Sequence, residues 1–293
     1  FPVCIAAKML GIPFIIYENN LHIGKANRYL LPYAKKVFVS YQEVEGISDK
    51  HREKVCEIGN IIRKEILDFQ NKFELTQKDG KLKILILGGS QAAKIFAKKL
   101  TEIFRECHES KIPLKIYQQC LPEQNKFLTS FFENLHIDYE IFNFTDNILH
   151  YFSKANLAIT RSGSSMLAEL INVKVPFIAV PLPSSADDHQ LKNATYYEKN
   201  GYSYLIEEKD LNLKLFKLIK KISKDSSLLK QMISKQREYS DKSVYENIDK
   251  QLNKIKSTRS QYKKTMKSPR NRSRYGKQLQ SRMKVHLQLT GSI

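Results

Sequence analysis

The chain has 293 residues and a formal net charge of +19, from 49 Lys and Arg against 30 Asp and Glu. That length accommodates two ordinary domains of about 100 to 200 residues each, and no apolar run approaches the roughly 20 residues a membrane-crossing helix needs, so it reads as soluble. The basicity is a property of one end: the last acidic residue is Asp249, and Lys250 to Ile293 holds 13 Lys and Arg, leaving 36 basic against 30 acidic residues, or +6, elsewhere.

The residues beyond Lys256 have little apolar periodicity and are expected to be disordered. Their charge could meet nucleic acid or anionic lipid; a segment without selected function is the alternative. Cys4, Cys56, Cys107 and Cys120 form no CxxC pair and have no histidine at metal-ligand spacing, which is expected of reduced thiols in a cytosolic protein. The chain opens Phe1-Pro2-Val3 without an initiator methionine, and we expect its true beginning to lie upstream.

In chain order, Ala6 to Leu10 is helical in pattern, Gly11-Ile12-Pro13 is a break, and Phe14 to Tyr17 is a strand-type run. The segment KANRYLLPYAKK interleaves Tyr29, Leu30, Leu31 and Tyr33 with Lys25, Arg28, Lys35 and Lys36, a basic helix or broken helix that leads to a strand at Val37 to Val39. Membrane headgroup contact and half-buried packing with solvated lysines are both open for it. Asn71 to Gly80 is the linker candidate.

Beyond it, strands are expected at Leu82 to Leu87, Leu114 to Tyr117, Tyr139 to Phe142, Leu157 to Thr160, Phe177 to Val180 and Tyr204 to Ile206, with helices between. Phe96, Leu100, Ile103, Phe104 and Cys107 mark one helical face, an amphipathic segment surrounds Phe216, and a last helix is expected from Leu228 to about Ile255. Repeated βα alternation implies a parallel sheet covered on both faces.

Three turns carry chemistry. Gly88-Gly89-Ser90 joins a buried strand to a helix, where unpaired backbone N–H groups and the positive helix end suit a phosphate, and the Ser90 hydroxyl can donate to it or cap the helix. An ordinary βα turn is the alternative, and without GxGxxG or a Walker lysine a dinucleotide or ATP assignment is weak. Arg161-Ser162-Gly163-Ser164-Ser165 repeats the arrangement, with Glu169 placed to accept from a ribose diol or simply to stabilise its helix. The third, Pro181 to Gln190, leaves a strand as a proline-framed polar loop; Asp187, Asp188 and His189 are ligand-type neighbours that solvated polarity also explains.

Tyr17-Glu18-Asn19-Asn20, Gly24, Asn27, Gly59-Asn60, Arg63, Gly88-Gly89-Ser90-Gln91, Arg161-Ser162-Gly163, Glu169, Asp187-Asp188-His189-Gln190 and Asn193-Ala194 occur in one order. Together they resemble the MurG family, the UDP-N-acetylglucosamine:lipid-linked N-acetylmuramyl-pentapeptide N-acetylglucosaminyltransferases of peptidoglycan synthesis, from Phe1 to about Ile255. The resemblance implies an α/β fold of GT-B type, two Rossmann-like domains with parallel sheets, the first incomplete. The implied layout is a remnant of the acceptor-binding domain at 1–70, a linker at 71–80, a UDP-sugar-binding domain at 81–227, a helix at 228–255 and a basic tail at 256–293.

It also implies roles. Ser90 and the backbone at Gly88 and Gly89 would hold the diphosphate, with Arg63 as countercharge. Gly163 would be a phosphate-turn residue like Gly88 and Gly89, the stretch from Ser164 to Glu169 would line the nucleotide, Glu169 taking the ribose hydroxyls, and the Thr145 backbone would read the uracil. Gln190 and Asn20 would bind the sugar. The implied reaction is inverting transfer of N-acetylglucosamine from UDP-GlcNAc to the lipid-linked acceptor, with no metal or cofactor. It would occur peripherally at the cytoplasmic face of a bacterial inner membrane, in service of cell-wall synthesis, shape and division, with the anionic membrane surface as a partner and no nucleic acid. No catalytic residue is assigned, because the family's glycine-rich loop with its histidine would lie upstream of Phe1; a UDP-sugar-binding remnant is the alternative. His22 falls where the family uses no residue. Smaller departures are Ala92, where the family has glycine, and Gln118, where histidine is common.

Overall fold

Short runs of branched and aromatic residues become strands, and the longer segments with an apolar stripe become the helices that cover them. The computed structural model describes residues 1–69 and 80–267. The expected linker lies outside the described residues apart from Gly80, as does the tail beyond Lys267.

The first sheet is built from α1 (Pro2–Met9), β1 (Ile15–Glu18), α2 (Lys25–Leu30), β2 (Lys36–Val39), β3 (Val55–Glu57) and α3 (Lys64–Asp68). Its strands run parallel in the order β1-β2-β3, with Ile16 opposite Val37 and Val37 opposite Val55. Pro2 fits the first turn of α1, where no N–H is needed. Pro32 stops α2 early, since it has no N–H to give to the preceding turn. Strand β3 is the shortest of the three and half-buried.

The second sheet holds β4 (Leu82–Leu87), α4 (Gly89–Glu109), β5 (Leu114–Gln119), α5 (Asn125–Asn134), β6 (Asp138–Phe142), α6 (Ile148–Phe152), β7 (Leu157–Thr160), α7 (Ser164–Asn172), β8 (Phe177–Ala179), α8 (His189–Lys199), β9 (Tyr204–Leu205) and α9 (Leu211–Lys224). All pairings are parallel, and the order β6-β5-β4-β7-β8-β9 is the doubly wound order in which winding reverses between β4 and β7. Ligands of such sheets bind outside the carboxyl ends of the strands at that reversal. The face of α4 marked by Phe96, Leu100, Ile103, Phe104 and Cys107 is fully buried, packed with Ile84, Ile86 and Ile116 of the sheet and with Leu211, Leu215 and Ile219 of α9.

The single helix expected from Leu228 to Ile255 is two helices, α10 (Ser227–Arg237) and α11 (Val244–Lys267). The break is made by polar groups turned inward. Asp241, 4% exposed, accepts from the Asn60 backbone N–H at 2.8 Å, Asn60 Nδ2 at 3.3 Å, Asn172 Nδ2 at 2.7 Å and the Tyr239 hydroxyl at 3.2 Å. Its own N–H donates to Asn172 Oδ1. The tail expected to be disordered from 256 is helical as far as Lys267. Contacts group Phe1 to Ser243, and so both sheets, into one compact body, and Val244 onward into a second.

Within the first body the sheets are joined again where the Tyr41 and Tyr197 hydroxyls meet at 2.9 Å, in a cluster with Tyr196 and Tyr202. Burial raises the Tyr41 and Tyr197 phenols well above their ordinary range. Lys174 donates to the Gln236 and Tyr239 carbonyls, both at 2.6 Å, and its burial pulls the ammonium down to about 8.

Asp241→Asn turns an amide N–H₂ toward groups that are themselves donors, and is expected to lower unfolding stability by about 2 to 3 kcal/mol, read from urea denaturation. Lys174 binds its proton less tightly folded than unfolded, so between pH about 8 and its unfolded value of 10.5 the unfolded chain holds more protons and stability rises with pH. The difference in urea midpoint between wild type and Lys174→Met should therefore change across that window and be flat below it.

Candidate functional site

Two helices begin at the reversal point of the second sheet, and both have glycine at the cap. Gly88 precedes α4 and Gly163 precedes α7. A glycine has no side-chain acceptor for the first N–H groups of a helix, so these remain open to an anion. Helix α4 starts at Gly89, with Ser90 in its first turn.

Facing them is the loop after β1, which Glu18 organises. This carboxylate is 3% exposed. Its Oε1 accepts from the Asn20 N–H at 3.1 Å and Asn20 Nδ2 at 3.0 Å, and its Oε2 from the Gly24 N–H at 2.9 Å and Asn27 Nδ2 at 3.0 Å. Four donors from three residues fold the loop around one charge. Just below, the Tyr17 hydroxyl, raised from its ordinary value by burial, pairs with Ser40 Oγ at 2.8 Å and accepts the Ile61 N–H at 3.0 Å. That contact fixes the segment leading to Arg63.

The two sheets meet through these groups. Ser164 Oγ donates to the Asn19 carbonyl. Asn193, 1% exposed, accepts the Leu21 N–H at 3.2 Å and donates to Asn20 Oδ1 and the Ser162 carbonyl, both at 3.2 Å. Arg63 makes a two-toothed contact with Glu169: Nε to Oε1 and Nη2 to Oε2, each 3.2 Å. The guanidinium is half-exposed, whereas the carboxylate side chain is mostly buried. So the structure joins Asn20 to Ser162 by way of Asn193, joins Ser164 to Asn19, and joins Arg63 to Glu169.

Gln190 sits in the first turn of α8, its Oε1 reaching back to accept the Leu182 N–H of the loop after β8 at 3.0 Å. Helix α8 starts at His189, after Asp187 and Asp188 adopt left-handed backbone at φ 49 and 54. Arg161 is buried in a supporting role, its fork on the Val180 and Pro181 carbonyls and on Glu208. Thr145 stands apart on the loop after β6, where its hydroxyl accepts the Asn147 N–H at 3.0 Å.

His22 lies at the rim. Its Nε2 is 2.6 Å from Arg28 and its Nδ1 2.9 Å from Lys192; His22 and Lys192 together draw the Glu45 carboxyl below its ordinary value. Among the described residues no group of three or more His, Cys, Asp or Glu side chains converges as a metal-holding set. Sequence reasoning quoted Glu18 and Asn193 within longer motifs without giving either a task. An acidic residue closing an otherwise apolar strand run, as Glu18 does, was the available signal.

Residues 83–279 match the model of the glycosyltransferase family 28 C-terminal domain. The chain belongs to that family. It is 34% identical over 251 residues to the UDP-N-acetylglucosamine–N-acetylmuramyl-(pentapeptide) pyrophosphoryl-undecaprenol N-acetylglucosamine transferase of Pelagibacter ubique (strain HTCC1062), covering 85% of this chain and 69% of the relative. The protein of the same name from Rickettsia bellii (strain RML369-C) is 33% identical over 223 residues, 73% of this chain and 62% of the relative. In fold, the chain is similar to the crystal structure of Acinetobacter baumannii MurG, with a TM-score of 0.70 at 24% identity over 86% of this chain and 71% of that one. It is also similar to the S. aureus MnaA–UDP co-structure, with a TM-score of 0.58 at 19% identity over 85% of this chain and 72% of that one. This family fold is GT-B, and the two parallel sheets are its Rossmann-like halves.

Glu18→Gln replaces one acceptor oxygen with an N–H₂ that faces two of the four donors. It is expected to destabilise the chain by about 2 kcal/mol in urea denaturation, while Glu18→Asp, which keeps the charge, loses less.

Proposed function

We propose that the chain transfers N-acetylglucosamine from UDP-GlcNAc to a lipid-linked N-acetylmuramyl-pentapeptide, the transfer that the names of its relatives describe for them, and that it does so with inversion. The observation that carries this reading is the Arg63–Glu169 fork, with Glu169 on α7, one of the two helices that start from a glycine at the reversal point. A nucleoside diphosphate supplies both of the groups such a fork releases: a ribose diol that donates to Glu169 and a diphosphate that accepts from Arg63. The first turns of α4 and α7 stabilise the negative charge that develops as the bond from sugar C1 to the phosphate oxygen breaks and its electron pair leaves with UDP. The acceptor hydroxyl forms the new bond to C1 from the opposite side and gives up its proton to a general base. Asn20, on a loop held by Glu18, and Gln190, in the first turn of α8 and bonded to the Leu182 N–H, hold the sugar, and the Thr145 loop reads the uracil.

The acceptor is lipid-linked, so the enzyme works against a membrane surface. Among the described residues no helix is long and apolar enough to cross a membrane. Val3, Met9, Leu10 and Tyr29 are exposed apolar side chains, and Lys8 lies over the Tyr33 ring. Apolar groups beside cations favour peripheral contact with an anionic bilayer.

Titrating UDP-GlcNAc into the 293-residue chain by calorimetry should give saturable binding, weakened about tenfold by Glu169→Gln; no binding of any uridine nucleotide sinks the proposal. Transfer of radiolabelled N-acetylglucosamine to a lipid-linked muramyl-pentapeptide is the second readout. In vesicle flotation, Met9→Glu with Leu10→Glu should reduce recovery with anionic vesicles, and equal recovery would remove that face from the membrane contact.

A further inference from the structure

Gln118 lies one residue before the end of β5, opposite Ile86 of β4. It is 1% exposed, and neither its Oε1 nor its Nε2 has a hydrogen-bond partner. A carboxamide buried with both ends unpaired is unfavourable, and native interiors largely avoid it. Alternation along the strand says where it faces. Tyr117 packs on Tyr151 of α6 on one side of the sheet, ring centroids 6.0 Å apart. Ile116 and Cys120 belong to the other side, in the cluster with Phe96 and Leu100 of α4 and Leu128 and Phe132 of α5. Gln118 shares their face. On β4, the residue two beyond Ile86 on that same face is Gly88, the cap of α4. The orphaned carboxamide is therefore directed at the entry to α4, which is also the glycine-capped helix start.

We propose that Gln118 is a positioning residue for the diphosphate, a reading that rests on the function proposed above. A diphosphate drawn onto the helix start settles the Gly88–Gly89 backbone over the carboxamide. Its Oε1 then accepts a turn N–H and its Nε2 donates to a turn carbonyl, which leaves the remaining N–H groups aligned on the phosphates. Gln118 thus acts through the turn. Its pairing is deferred from the free chain to the bound one, so binding a diphosphate recovers hydrogen bonds that folding leaves unmade.

The test compares uridine, followed by ligand-detected NMR, with UDP, followed by calorimetry, in wild type, Gln118→Met and Gln118→His. Methionine fills the volume without polar ends, and histidine keeps one donor and one acceptor. Gln118→Met should bind UDP about tenfold more weakly, bind uridine as wild type does, and be at least as stable to urea without ligand. Gln118→His should recover most of the UDP affinity. UDP affinity unchanged in Gln118→Met, or UDP and uridine weakened in equal proportion, overturns the proposal. So does a Gln118→Met chain that fails to fold, because the carboxamide would then be supporting the free state. A wild-type chain that binds no uridine nucleotide overturns the proposed function itself, a separate outcome from wild-type binding that Gln118→Met leaves intact.

Discussion

A buried carboxylate that would be costly alone is what keeps two separately wound sheets in one body. Asp241 is almost removed from water, and every donor that compensates it comes from a different place in the chain: Asn60 after β3, Asn172 at the end of α7, and Tyr239 beside it. Removing a charge from water is tolerated only with such close hydrogen bonding. The geometry of that arrangement therefore also fixes the distance between the first sheet's exit and α7. Arg63 lies three residues beyond Asn60, and Glu169 lies on α7 three residues before Asn172. The Arg63–Glu169 contact is thus tethered on both flanks by one carboxylate.

The doubly wound half was legible in the sequence because its signals are local. Leu82 to Leu87 is an apolar run interrupted only by Lys83 and ended by Gly88, and the apolar stripe of α4 repeats at helical spacing from Phe96 to Cys107. Those features specify a strand and a helix whatever surrounds them. The break at 238–243 was not legible, because Tyr239 and Asp241 become inward-facing only when Asn60, about 180 residues away, supplies the partner. The site divided in the same way. Ser164, Glu169 and Gln190 lie on loops and helix starts whose position follows from strand–helix alternation, so their neighbourhood could be read. That Arg63 closes on Glu169, and that Asn193 bridges Asn20 to Ser162, depends on two sheets approaching each other, which no local pattern encodes.

The crevice follows a consistent economy of partners. Groups that hold the loops in place are fully engaged within the protein: Glu18 has four donors, and Asn193 uses both ends of its carboxamide. Groups directed at the reversal point are held by something exchangeable or by nothing at all. The Glu169 carboxylate is held by a half-exposed guanidinium, and Gln118 is unpaired. A fork such as Arg63–Glu169 contributes little net free energy while one partner remains solvated, so replacing it with a ligand's diol and phosphates loses little and gains charge-assisted contacts.

The loop after β8 adds the remaining constraint. Asp187 and Asp188 occupy left-handed backbone in succession, a conformation that costs on the order of 1 kcal/mol or more for each non-glycine residue and persists only where the surroundings impose it. Those surroundings are identifiable: Ser185 O accepts the Asp188 N–H at 3.2 Å, Lys25 lies 3.7 Å from Asp187, and Gln190 closes back on the Leu182 N–H. The double reversal starts α8 at His189 rather than later, and its ring comes against Gly24, where an added Cβ would lie 3.9 Å from His189 Cε1 and 3.6 Å from Glu18 Oε2. Gly24 is itself held by Glu18. Strain in one sheet's loop and a buried charge in the other thus converge on the same few ångströms around Gly24.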